Sequence, residues 1–109
     1  MSAFEVQLTE GALEDLLDIH EYVAAHDAPL KADQLLAKLQ DAVNSLGRLP
    51  ERGAITKELR DIGIREYREI YFKPYRVIYR IAPGNVLVHL IVDGRRNMQV
   101  LLRQRLLRV

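Results

Sequence analysis

The apolar residues of this chain change their period between Pro50 and Gly53, and that change limits what it can fold into. Ahead of it, from Thr9 on, they recur every three or four residues, the spacing of one helix face. Beyond it they alternate, the spacing of one strand face. Thr9 reads as an N-cap, and Glu10 places negative charge in the first turn. Leu13, Leu16, Ile19, His20 and Val23 then form one stripe, with Glu14, Asp15, Asp18 and Glu21 opposite. The segment "AHDAPLK" interrupts this helix, and Pro29 suits the first turn of a second. There Ala32, Leu35, Leu36, Leu39, Val43 and Leu46 keep helical spacing, Gly47 is the expected C′ residue, and Pro50 blocks continuation. So short a connection predicts an antiparallel helical hairpin over residues 10–47 with one shared apolar seam.

The alternating runs predict strands. "FEVQL" at residues 4–8 is one, ahead of the hairpin. "IREYREIYF" at 64–72 is a second, followed by a Lys73-Pro74 turn. "YRVIYRI" at 75–81 is a third, with Tyr75, Val77, Tyr79 and Ile81 on one face and Arg76, Ile78 and Arg80 on the other. Pro83-Gly84 suits a type II turn, proline fixing the first central φ and glycine accepting a positive φ at the second. "VLVHLIV" at 86–92 is apolar on both faces, as a central strand requires. Asn97 caps a short last helix with Met98, Leu101, Leu102 and Leu106 turned inward. The expected fold is α+β and spans 1–109 as one domain. An N-terminal strand and helical hairpin pack on a small antiparallel sheet of residues 64–93, and a short C-terminal helix follows. The first strand should be an edge strand paired with the last.

Hydrophobic residues make up 49% of the 109 and charged residues 28%, a balance that folds rather than staying disordered. The absence of Cys excludes disulfides and thiolate metal sites. His20, His26 and His89 are too scattered to suggest zinc, so neither a metal nor another cofactor is expected. No signal-type segment follows Met1, and no apolar run nears the roughly 18 residues of a membrane span. The expectation is a soluble cytoplasmic protein with no membrane partner. No nucleophile elbow, phosphate loop or glycine fingerprint is present. Charge is divided unevenly. Residues 1–51 carry ten acids against Lys31, Lys38 and Arg48, a net of −7, and residues 52–109 carry thirteen bases against five acids, a net of +8. Either the second half meets an anionic partner, or the halves neutralise each other.

Arg76 and Arg80 share a strand face with Ile78 between them. If the alternate residues pack on the hairpin, these three point to an uncovered face. Such a face suits carboxylates, phosphates or a partner segment, or it is simply solvated. Arg95 and Arg96 follow Asp93-Gly94 at a strand end, where Asp93 should have a lowered pKa and can pair with them. Arg103, Arg105 and Arg108 extend the basic surface, giving five arginines and no acid in the last fifteen residues. His89 and His20 read as packing histidines, and Tyr67, Tyr71, Tyr75 and Tyr79 as cross-strand packing.

With "LGRLPERG", "REIYFKPYRVIYRI" and "VDGRR" in this order of elements, nearly the whole chain resembles the RelE/ParE superfamily. These are the toxin halves of bacterial type II toxin–antitoxin operons. The resemblance implies one of two activities. RelE-like members are ribosome-dependent ribonucleases that cut mRNA with basic residues on a concave sheet face plus a Tyr or His near the C-terminus. ParE-like members resemble DNA gyrase inhibitors and lack that set. Arg76 matches the superfamily's strand arginine, and Arg95 or Arg96 matches the one after the last strand. No Tyr or His follows His89, which favours the ParE-like branch. A ribonuclease would have to draw on Lys57, Lys73, Arg76 and Arg95. The expectation is a toxin of DNA gyrase, the alternative one of ribosome-bound mRNA, and a second alternative a non-toxic interaction module of the same fold. The implied partner is a cognate antitoxin, ParD-like or other. Its binding surface, or that of the target, would be Arg76, Ile78, Arg80, Arg95, Arg96, Arg103 and Arg105.

Overall fold

The Thr9 hydroxyl accepts a hydrogen bond from Ala12 N at 3.1 Å and opens the first helix, α1 (Glu10–His26), in the computed structural model, which describes residues 3–107. Pro29 stands in the first turn of α2 (Pro29–Asn44), and a 3-10 turn, Ser45–Gly47, ends the hairpin. Gly47 is not the left-handed C′ residue that its position suggests. A Cβ there would lie 2.9 Å from the Phe4 carbonyl oxygen, because Phe4 N donates to Gly47 O and draws the two backbones together. The helix stripe is also rotated from the expected one. Ala12 and Leu16 are buried, whereas Leu13 is 48% exposed. The side taken for solvent-facing instead turns Asp15 toward the sheet. His20 lies at the seam of the hairpin, its Nε2 2.7 Å from Asp33 Oδ1.

Five strands form one sheet in the order β1-β5-β4-β3-β2: β1 (Glu5–Leu8), β2 (Ala54–Ile55), β3 (Tyr67–Phe72), β4 (Tyr75–Ala82) and β5 (Asn85–Asp93). As expected β1 is an edge strand on β5, but it joins in parallel, while the others pair antiparallel. Strand β2 is too short to have left a pattern in the sequence. Gly84 has φ +74°, as a turn after Pro83 requires. The hairpin covers one face through Leu16, Leu39, Val43 and Leu46, which pack against Val77, Tyr79, Val88 and Ile91.

The other face is not open. Leu59 of α3 (Lys57–Arg60) joins Met98, Leu101 and Leu102 of α4 (Met98–Leu102) over Ile78, Leu90 and Val92. A π-helical turn, Arg103–Leu107, follows α4, and Arg108 lies outside the described residues. The physical reason for the closure is plain: Ile78, Leu90 and Val92 are apolar and need a cover. No described helix is long and apolar enough to cross a membrane.

Between Ile78↔Leu90 and Tyr79↔Val88 the register shifts, so His89 is an extra residue on β5. Pairing with β1 stops at Val88, and the backbone beyond it needs other partners. Asp15 Oδ2 accepts from Ile91 N at 3.0 Å. Arg105 donates to both Asp15 oxygens and to His89 O, each at 3.0 Å. Arg105 therefore closes a strand edge rather than adding a free cation to the surface.

Tyr79 is wholly buried, and its hydroxyl accepts from Gly53 N at 3.0 Å and donates to Pro50 O at 2.6 Å. It thereby fixes the loop between the hairpin and the sheet. Tyr79→Phe leaves both backbone groups without this partner in the interior. We expect a loss of about 1–3 kcal/mol in urea unfolding with an unchanged native circular dichroism spectrum.

Candidate functional site

Arg76 enters from the middle of the sheet, on the face that α3 and α4 cover. Its NH1 and NH2 donate to the two Glu58 oxygens at 3.0 and 2.8 Å, and NH2 also bonds Glu69 Oε1. Arg76 is 6% exposed and Glu69 7%. Tyr71 donates to Glu69 Oε2 at 2.8 Å, and its ring lies 5.8 Å from the Arg76 guanidinium carbon. The hydrogen bonds from Arg76 hold the Glu58 carboxyl below its ordinary pKa, and the Glu58 fork raises that of Arg76. One guanidinium thus meets two carboxylates. Arg76 and Ile78 do not stand on an uncovered face, as alternation alone would have them.

The stem of Arg76 runs beneath the turn that follows β5. A Cβ on Gly94 would lie 2.7 Å from Arg76 Cδ, and Gly94 N donates to Pro74 O at 2.8 Å. Only a residue without a side chain allows this approach. The turn so seated carries Arg95 and Arg96 outward. Asp93 accepts from Arg95 N and Nε at 2.9 Å and from Arg95 NH2 at 2.6 Å, which sets the direction of that side chain while leaving it 78% exposed. Asn97 Oδ1 accepts from Val100 N and starts α4, as its sequence position suggests.

Two clefts meet at this turn. One, of about 490 Å³, lies between α1 and the end of β5 and is lined by Asp18, Ile19, Tyr22, Tyr75, Arg95 and Arg96 among others. The other, of about 350 Å³, brings Lys57 and Glu58 of α3 to Arg96 and Gln99. Arg96 borders both. Lys73 sits apart, in the turn between β3 and β4. Arg80 is partly exposed and Arg103 exposed. His89 is no accessible base: its Nε2 is buried without a hydrogen-bond partner, its ring meets Tyr67 edge-on, and burial with Arg80 and Arg105 nearby lowers its pKa. Of the tyrosines, Tyr79 and Tyr75 pack toward the hairpin, but Tyr71 is exposed and serves Glu69. Among the described residues no group of three side chains could hold a metal ion.

The sequence reading missed Glu58, Glu69 and Gly94, the residues that hold Arg76. A sign of Glu69 was there: it alternates with Tyr67 and Tyr71 on one strand. Glu58 carried none, since a four-residue helix shows no periodicity.

The pairing around Asp93 has a consequence in pH. The Arg95 hydrogen bonds hold its carboxyl down to about 2. A folded-state pKa below the unfolded one means that the pair stabilises the turn fully above the ordinary carboxylate range. That contribution fades as pH falls toward about 2. Carbon-detected NMR titration should find the Asp93 midpoint there, and Arg95→Ala should move it back toward the ordinary aspartate value.

The fold has known counterparts. The family described as the ParE toxin of the type II toxin–antitoxin system parDE matches residues 6–98. The chain is 34% identical over 88 residues to Toxin RelE2 of Caulobacter vibrioides, a match that covers 80% of this chain and 89% of that one. Among solved structures, the chromosomal ParDE system of P. aeruginosa superposes with a TM-score of 0.70 at 17% identity, over 84% of this chain and 96% of that one. The RelBE2 toxin–antitoxin complex of Mycobacterium tuberculosis gives 0.62 at 21%, over 85% and 93%. The two structures share the fold, and the sequence matches carry the assignment: the chain belongs to the ParE/RelE family of toxins of type II toxin–antitoxin systems.

Proposed function

We propose that this toxin stops growth by binding DNA gyrase rather than by cutting mRNA, and that a cognate antitoxin neutralises it in the cytoplasm. The observation that carries the reading is the neutralised Arg76. A ribonuclease of this fold needs a cationic sheet face for the scissile phosphate. Here one guanidinium is shared by Glu58 and Glu69, which makes the place unattractive to an anion. Leu59, Met98, Leu101 and Leu102 cover Ile78, Leu90 and Val92 on that face.

Proton transfer is no better served. Attack by a 2′-hydroxyl needs one group to accept a proton and another to protonate the leaving oxygen. Glu58 and Asp93 are held ionised by arginines and are weak acceptors. The Tyr71 hydroxyl donates its hydrogen bond to Glu69, which raises the tyrosine pKa. Arginine stays protonated and acts only as an electrostatic clamp. Binding a topoisomerase needs a surface and no proton transfer, and the Arg95–Arg96 turn between two clefts provides one. The antitoxin part rests on the family and on neighbours solved as toxin–antitoxin systems.

Purified protein should slow gyrase supercoiling or trap cleaved DNA, and should leave mRNA on programmed ribosomes uncut. Arg95→Ala with Arg96→Ala should reduce growth inhibition by more than about tenfold in induced cells while circular dichroism stays native. Cleavage of ribosome-bound mRNA by the purified chain would overturn the reading.

A further inference from the structure

Half of the described arginines singled out from the sequence are spoken for. Arg76, Arg95 and Arg105 each face a carboxylate of the same chain. Arg80, Arg96 and Arg103 do not, and around the loop after the hairpin neither do three more. Arg52 NH1 donates to Ser45 Oγ, and Arg68 NH1 donates to the Gly53 and Glu51 carbonyls at 2.8 and 3.4 Å. Arg48 has no carboxylate partner among the described residues, and neither do Arg52 and Arg68. Neutral acceptors leave a guanidinium its full charge.

Arg48, Glu51 and Arg52 rim a groove of about 550 Å³ whose floor is Phe4, Leu49, Pro50 and Ile81, and the two guanidiniums leave that rim net basic. Leu49 is 62% exposed there, with no apolar cover. The groove is also held in shape. Tyr79 pins Pro50 and Gly53 from below, and Arg52 ties the loop back to Ser45. Little ordering is left for binding to supply. An apolar floor offers nothing to a phosphate backbone, whereas a peptide can bury a side chain in it and set carboxylates on the rim.

We infer that this groove receives an acidic segment of the antitoxin, with one bulky apolar residue seated over Leu49 and Ile81 and flanking carboxylates on Arg48 and Arg52. The inference rests on the antitoxin reading above and names the surface and chemistry of that contact. The site lies on the loop after the hairpin, apart from the Arg95–Arg96 turn.

The test uses the full chain and the antitoxin expressed from the adjoining reading frame, with affinity measured by calorimetry at low and high salt. Leu49→Asp, and Arg48→Glu with Arg52→Glu, should each weaken binding by about 30-fold or more. The charge-reversed chain should lose most of the salt dependence and regain affinity for an antitoxin whose flanking acids are changed to Lys. Hydrogen exchange on the wild-type complex, which needs no variant to fold, should slow over Arg48–Gly53. Folded variants that bind within about twofold of wild type, or unchanged exchange in that loop, would overturn the groove and leave the antitoxin reading standing. Displacement of the antitoxin from the groove by short duplex DNA would overturn it too. A wild-type chain that binds no antitoxin would overturn both.

Discussion

Three segments of chain meet on Arg76, and the arrangement of the sheet's second face follows from that meeting. Glu58 comes from α3, Glu69 from the neighbouring strand, and Gly94 from the turn above the arginine's stem. A guanidinium taken from water needs its charge met and its protons accepted, and removing one partner of such a set typically costs about 3–5 kcal/mol. The cluster therefore ties α3 to β3 and β4 and seats the turn that carries Arg95 and Arg96. It also explains why α3, only four residues long, has a fixed place: its carboxylate is held from within, and Leu59 beside it is buried.

The same cluster decides how charge is presented. A run of arginines toward the C-terminus looks like a continuous basic surface, but three of the seven candidate positions do not belong to one. Arg76 is enclosed, Ile78 is covered by α4, and Arg105 closes the edge of β5 beside the His89 bulge. Part of the charge asymmetry between the two halves is thus resolved inside the molecule, by the bond between Asp15 of the acidic half and Arg105 of the basic half. Besides the exposed Arg103 and the partly exposed Arg80, the cations outside include the Arg95–Arg96 turn and the loop from Arg48 to Arg52. The two places differ in kind. The first sits between clefts with acidic and aromatic walls, and the second borders an apolar groove.

The helical hairpin, the three long strands, the edge position of β1 and the Asn97 cap were all legible in the sequence, because each depends on a local period or a capping residue. Pairing between Asp93 and Arg95 was legible as well, since only Gly94 separates them. What was hidden depended on contacts distant in the chain. Leu13 and Leu16 both fit a helical stripe, and only the position of the sheet selects Ala12 and Leu16 for burial. Arg76 lies eighteen residues from Glu58 and seven from Glu69, so alternation gave its face but not its company. Gly47 looked like a helix terminator, and its small size proved to serve the approach of Phe4.

The central claim is that Arg76 holds the fold and touches no phosphate. Replacing the whole cluster tests this more directly than removing one member, because an apolar substitute of similar volume leaves no buried charge behind. Glu58→Leu, Glu69→Leu and Arg76→Met would be combined in one chain, and its thermal unfolding and its growth inhibition in induced cells measured together. The account predicts a folded protein with a melting temperature near or above that of the wild type, and undiminished growth inhibition. A protein that folds as stably but no longer inhibits growth would place Arg76 in the toxic chemistry and contradict the account.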